Sequence, residues 1–322
     1  NVLAGGTNDD TLIGGDSGNT LSGNDGNDVV TGGLGTDTVD GGLGVDVMTG
    51  GGGTDTLTWQ SLTGGNAIIR LDLGNATDYQ GSVDTYSGFS AYVGTNNGDT
   101  ITLSTGTDTV TGGTGADLVN ANTGTHVLNG GTGVDTLSFA AASGAVVLNL
   151  ATTTAQNSGY GTYTITALSV ENVTGSANDD TITGDANANI LLGGGGNDIL
   201  VGAAGNDTLD GEGGSNTVSY NYTGTAVVVN MATVDGAGYY TVTLGAESDR
   251  VKNFATFIGG TGNDTLTGDG NANVLRAGGG TNTLDGGAGN DTLFGDTGTN
   301  NVLNGGANND TITGDRKSTR LN

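Results

Sequence analysis

The sequence has no cysteine, no proline, one histidine, and seven lysines and arginines against 34 acidic residues. Without cysteine no disulfide can staple the fold, so stability must come from packing, hydrogen bonding or bound ligands. A lone histidine, His126, cannot build a multi-histidine zinc protease site, and H-E-x-x-H is absent. A formal charge of −27 argues against nucleic acid or an anionic membrane as partner and in favour of cations. No apolar run approaches the ~18 residues of a membrane span. No signal peptide is visible and the chain opens at Asn1 without Met, which reads as a fragment of a longer protein.

Glycine, in contrast, supplies 66 of the 322 residues. A Gly-rich chain without a period is usually disordered, so the spacing decides. Gly32-Gly33-Leu34-Gly35-Thr36-Asp37-Thr38-Val39-Asp40 is followed directly by Gly41-Gly42-Leu43-Gly44-Val45-Asp46-Val47-Met48-Thr49. The form is G-G-x-G-x-D-x-U-x, with U a large apolar residue. Such units fill residues 5–58, 94–138, 175–219 and 259–313, the last set with one extra residue near Asn300 to Asn304. Position eight stays apolar throughout the first block, as Leu12, Leu21, Val30, Val39, Met48 and Leu57. The x-U-x triplet predicts a very short strand with its middle side chain inward, and the six preceding residues a tight turn. Two units make one coil, and stacked coils make two parallel sheets around a thin apolar row, a quasi-one-dimensional solenoid.

These units resemble the RTX, or hemolysin-type, calcium-binding repeat, a motif that also stands as a standard example of periodic sequence. The resemblance covers about two-thirds of the chain. It implies an all-β parallel β-roll with several Ca²⁺ ions held between loops of successive coils. It also implies a large bacterial protein exported by type I secretion machinery to the extracellular medium or cell surface, with a C-terminal secretion signal that would be missing here. Chemistry supports the metal independently. Ca²⁺ takes six to eight oxygen ligands, a Gly-rich turn exposes carbonyls, and position six adds a carboxylate.

Loops on one side of the roll are 18 residues apart, so carboxylates at that separation are expected to share an ion. Complete pairs are Asp10/Asp28, Asp28/Asp46, Asp37/Asp55, Asp99/Asp117, Asp117/Asp135 and Asp180/Asp198. Mixed pairs, expected to be weaker, are Asn19/Asp37, Asn189/Asp207, Asp198/Asn216, Asp264/Asn282 and Asn273/Asp291. Asp108 and Asp310 complete the candidate ligands. His126 stands at position six opposite Asp108. Imidazole suits zinc or copper better than calcium, so this slot reads as a decayed site with a surface histidine.

Between the roll blocks lie segments of another composition. Each opens on an aromatic residue, Trp59, Phe139 or Tyr220, and carries an apolar strand near residues 68–73, 146–150 or 227–231. The expected organisation is roll 1–58, insert 59–93, roll 94–138, insert 139–174, roll 175–219, insert 220–258 and roll 259–315. The inserts read as wider coils or small hairpins that continue the sheets and thicken the core. Trp59 and the Tyr239-Tyr240 step read as packing residues. The tail 316–322, Arg-Lys-Ser-Thr-Arg-Leu-Asn, is unlike anything before it and resembles a translated sequencing adapter, so it is set aside as non-native.

The expected function is a non-enzymatic, calcium-binding structural or adhesive region. The alternative is the repeat domain of an exported toxin or enzyme whose active domain lies elsewhere. An ice-binding face is disfavoured. Eighteen residues on from Thr100-Ile101-Thr102 stands Leu118-Val119-Asn120, which breaks the threonine array.

Overall fold

The computed structural model describes residues 1–297, 300–314 and 318–321. Of the adapter-like tail, positions 316, 317 and 322 lie outside the described residues, as does Asp315 before it. Thr319–Leu321 pairs in parallel with Val302–Asn304. The described residues contain strands and turns and no helix. They form two compact units, one of residues 1–142 with 152–172 and one of 143–151 with 173–322.

In the first unit, one sheet stacks Val2–Ala4, Thr20–Asp25, Thr38–Leu43, Thr56–Thr58, Ala91–Val93, Thr107–Thr114, Thr125–Thr132 and Thr162–Ile165 in parallel. The other carries Thr11–Ile13, Val29–Leu34, Val47–Gly52 and Val83–Ser87, then Thr100–Thr102, Leu118–Asn120 and Thr136–Ser138. The second unit repeats the plan. One of its sheets runs from Val147–Asn149 through Thr181–Thr183, Ile199–Val201, Asn216–Ser219 and Phe254–Ile258 to Thr311–Thr313. This is the parallel β-roll that the nonapeptide period predicts.

The register explains the period. Leu21 lies opposite Val39, Val30 opposite Met48 and Val110 opposite Leu128, each one coil apart. Leu21, Val30 and Val39 are fully buried, so position eight forms the apolar row. Several strands are longer than the expected triplet. Val29–Leu34 and Thr125–Thr132 run on through the paired glycines, where Gly33 pairs with Gly51 and Gly113 with Gly131. Glycine permits this because the ladder passes through left-handed backbone. Gly42 has φ of 97°, and a side chain there would strike the Asn24 carbonyl one coil away.

The inserts break the parallel order without leaving the sheets. In the first, Ile68–Arg70 and Asn75–Thr77 pair antiparallel, as do Asn75–Thr77 and Val83–Ser87, between the flanking parallel strands. In the third, Val227–Val234, Tyr240–Leu244 and Glu247–Lys252 form an antiparallel meander whose outer strands pair in parallel with coil strands. The bulkiest fully buried side chains come from these segments: Trp59, Phe139, Tyr163, Tyr220 and Phe257. Trp59 meets Tyr86 edge-on at 5.7 Å, Phe139 meets Tyr163 at 5.2 Å, and Tyr220 stacks on Phe257 at 5.3 Å. The inserts are thus hairpin elaborations with a thicker core, and Trp59 is a packing residue.

Candidate metal centre

Each coil turns twice, and position six ends each turn just before the strand. There the extended backbone sends successive side chains to opposite faces, so positions six and eight both point inward. Asp28, Asp37, Asp46, Asp55, Asp117 and Asp198 are consequently buried, each 2% exposed or less.

Every expected 18-residue pair is in contact. The backbone N–H of Asp10 donates to Asp28 Oδ1 at 2.7 Å, that of Asp28 to Asp46 Oδ1 at 2.7 Å, and that of Asp37 to Asp55 Oδ1 at 2.8 Å. The same bond joins Asp99 to Asp117, Asp117 to Asp135 and Asp180 to Asp198. The mixed pairs keep it: Asn19 to Asp37, Asn189 to Asp207, Asp198 to Asn216, Asp264 to Asn282 and Asn273 to Asp291. Asp291 donates to Asp310 at a separation of 19, because of the extra residue between them.

One carboxylate oxygen is therefore spent on register. In part of the ladder the other has no hydrogen bond: Oδ2 of Asp28, Asp37, Asp46, Asp55, Asp117, Asp198, Asp207 and Asp291 is buried and unpartnered. In Asp10, Asp99, Asp108, Asp180 and Asp264, Oδ2 accepts a backbone N–H of its own turn, from Gly6, Thr95, Ser104, Ser176 and Gly260. This oxygen faces the first glycine of its own turn. A side chain on Gly23 would strike both Asp28 Oδ2 and the Gly41 carbonyl, and one on Gly112 both Asp117 Oδ2 and the Gly130 carbonyl. The repeat's first glycine thus keeps open a space where a carboxylate oxygen and a carbonyl of the next coil converge.

Burial raises the carboxyl pKa values, and neighbouring acids add to it: Asp46 and Asp198 to about 6, Asp117 to about 7 and Asp207 to about 8. Among the described residues no lysine or arginine ion pair relieves them. Arg70 pairs with Asp72, Arg250 with Asp235, Lys252 with Asp210 and Arg276 with Asp296, all outside position six. Among the described residues no three acidic or imidazole side chains form a preformed cage. The arrangement is a ladder with two side chains per step, completed by backbone oxygens. An all-oxygen, anionic donor set fits a hard divalent cation such as Ca²⁺, and Asp Oδ2 with glycine carbonyls would hold it. The ion supplies the positive charge that the buried carboxylates lack.

His126 departs from expectation. It is fully buried, not a surface residue. Its Nδ1 lies 3.1 Å from Asp108 Oδ2, Nε2 is 3.3 Å from the Thr123 carbonyl, and its ring packs on Tyr163 at 5.2 Å. Asp108 also accepts from the Ser104 hydroxyl, and its pKa is lowered, with burial opposing His126 and Ser104. The neighbour one coil away holds Asp108 directly, because the ring is wide enough to fill the gap.

Sequence reasoning missed two further sets of acids. Asp185, at position two, is buried with Oδ2 unpartnered, and its N–H donates to Asn189 Oδ1 at 2.8 Å. Asp269 makes the same bond to Asn273 Oδ1, but it is half-buried and its Oδ2 accepts from the Asn271 side chain. The shared G-D-x-N-A-N sequence was the available signal: in these two turns position two carries the charge that position six lacks. The second set, Asp84 and Asp249, lies in the inserts.

A parallel roll with this ladder defines a metal-binding repeat protein. Nine overlapping segments match the model of the RTX calcium-binding nonapeptide repeat (4 copies): 4–39, 22–57, 93–125, 102–137, 170–200, 192–220, 256–284, 267–300 and 297–316. They cover more than half of the chain, which belongs to this family, and RTX nonapeptide repeats bind Ca²⁺ at multiple sites. No curated protein matches the chain.

Proposed function

We propose that this chain is a non-catalytic structural region of a secreted or cell-surface protein, exported unfolded by a type I system and folded by Ca²⁺ outside the cell. The observation that carries this reading is the series of eight buried, unpartnered position-six Oδ2 atoms, without a compensating cation among the described residues. Taking a carboxylate out of water costs several kcal/mol unless it is paired. A metal-free roll bears that cost at each of these steps, and an ion that binds only the folded ladder offsets it directly. In the low-Ca²⁺ cytosol the chain stays loose, which suits passage through an exporter; at the extracellular concentration it closes. The ligands proposed are Asp10, Asp28, Asp37, Asp46, Asp55, Asp99, Asp117, Asp135, Asp180, Asp198, Asp207, Asp264, Asp291 and Asp310, with Asn19, Asn189 and Asn273 as uncharged members; Asp108, held by His126, joins them once that histidine is replaced by a carboxylate.

Circular dichroism of the chain in EGTA and then in ~1 mM Ca²⁺, the range of extracellular modules, tests this. The β signal is expected to appear with the metal. Equal β content in both conditions would overturn it.

A further inference from the structure

The nonapeptide pattern stops at each insert, yet the ladder does not. Asp46 has no position-six acid 18 residues on; its N–H donates instead to Asp84 Oδ1 at 3.0 Å, across 38 residues. Asp207 likewise donates to Asp249 Oδ1 at 2.9 Å, across 42 residues. The strands that follow fall into coil register. Thr85 and Tyr86 pair with Val47 and Met48, and Arg250 and Val251 with Thr208 and Leu209. Asp84 and Asp249 therefore stand at position six of coils that the sequence motif does not reveal.

We propose that the inserts donate calcium ligands, with Asp84 and Asp249 taking the place of the missing position-six carboxylates. The inference rests on the calcium ladder proposed above and extends it. Both residues are 1% exposed. Beside each lies a carboxylate whose Oδ2 is buried and unpartnered, Asp46 in one case and Asp207 in the other. The cations nearest in sequence are turned away. Arg250 and Lys252 alternate with Asp249 and Val251 along the strand, so they point outward, to Asp235 and Asp210 and over the Tyr239 ring. The inserts supply carbonyls to neighbouring turns of the ladder as well: a side chain on Gly50, in the Asp55 turn, would strike the Gly88 carbonyl, and one on Gly211, in the Asn216 turn, would meet the Asn253 carbonyl at 2.5 Å. The same Oδ1 bond to the preceding coil arises in two inserts of unrelated local sequence, with Asp249 Oδ2 also accepting from the Tyr220 hydroxyl at 2.9 Å.

Trp59 gives one of these sites its own reporter. Burial pushes the Asp84 carboxyl up to about 7, and the indole beside it acts in the opposite direction without a full hydrogen bond. Tb³⁺ seeks the same hard oxygen ligands as Ca²⁺. With Tb³⁺ loaded on the full chain, selective tryptophan excitation is expected to give sensitised emission in the wild type and to lose most of it in Asp84→Asn. Asp249→Asn is expected to keep this emission. Calcium titration is expected to show one site lost, or weakened about tenfold or more, in each variant. Asp72→Asn and Asp235→Asn, which remove exposed insert acids, are expected to match the wild type.

Asp117→Asn, within the nonapeptide ladder, separates the two readings. If it loses an ion while Asp84→Asn and Asp249→Asn keep wild-type number and affinity, the insert assignment falls and the ladder stands. If all three bind as the wild type does, the ladder falls and takes the inference with it. Should Asp84→Asn fail to fold, the wild type still decides: no tryptophan-sensitised emission at saturating Tb³⁺ overturns the Asp84 site.

Discussion

The coil formed by residues 32–49 and the first insert are both β structure, but they bury apolar and charged groups in different proportion. The coil buries two apolar position-eight side chains, Val39 and Met48, and two carboxylates, Asp37 and Asp46. The insert buries two carboxylates as well, Asp78 and Asp84, but sets against them Trp59, Leu62, Ile69, Ala76 and Tyr86. Fully burying a Val or Met side chain stabilises by about 1.5–3 kcal/mol, while a buried unpaired carboxylate costs several kcal/mol. The coil's own chemistry therefore comes out near or below zero, whereas the insert's larger apolar burial leaves it better balanced. Connectivity adds to the contrast. Coil strands pair across an 18-residue step, while insert strands such as Val227–Val234 and Tyr240–Leu244 pair across one turn. Roll coils should depend on metal, and inserts should hold residual structure without it.

The largest expected effect follows from removing the metal. Hydrogen exchange on the metal-stripped chain should find the coil amides of Thr38 and Val47 unprotected, and those of the hairpin from Val227 to Leu244 still partly protected. Equal loss of protection in both regions would erase the distinction.

Acid should partly stand in for metal. The buried carboxyl groups of Asp117, Asp198 and Asp207 have folded pKa values of about 7, 6 and 8, above the 3.8 of an exposed aspartate. Between about pH 8 and 4 the folded, metal-free coil binds protons that the unfolded chain has released, so its stability rises as pH falls through that window. Below about 4 both states are protonated and the gain stops. Exposed insert acids behave oppositely. Asp235, held at about 2 by Arg250, contributes above 3.8 and loses that contribution only on further acidification. Coil β signal in stripped protein should therefore grow from pH 7.5 to 5; a flat profile would mean that carboxylate burial does not limit the roll.

Within the roll, position matters. Asp28 is 1% exposed, receives the Asp10 N–H and donates its own to Asp46, so it belongs to two steps. Asp28→Ala should raise the Ca²⁺ midpoint for folding several-fold, and more than Asp10→Ala, because an internal break uncouples neighbouring coils. Asp72→Asn, outside the ladder, should do little. Trp59 fluorescence follows all three midpoints, and equal shifts for Asp28→Ala and Asp72→Asn would point to bulk charge instead of geometry.

The smallest effect concerns the step where the His126 ring meets Asp108. His126→Asp removes the contact with Tyr163 and sets two carboxylates at the Asp108 step. The variant should bind one more Ca²⁺ by calorimetry and fold less well at low Ca²⁺. An unchanged isotherm would show that this step cannot take an ion in either form.

The sequence alone determined the coil. A nine-residue period fixes which residue faces inward, which turns need glycine and which acids lie 18 apart, because each coil repeats the same local problem with the same residues. The fate of each oxygen was not legible there. That Oδ1 is taken by a backbone N–H of the preceding coil, and that Oδ2 is left bare in acids such as Asp28 and Asp117 but not in Asp99 or Asp180, depends on how one coil sits on the next. Nor could spacing reveal the burial of His126, since the Tyr163 that covers it lies 37 residues on, in an insert. Asp84 and Asp249 were hidden for the same reason. Their place at position six comes from antiparallel strands of different lengths folding back into register, and only the tertiary ladder brings them to the row.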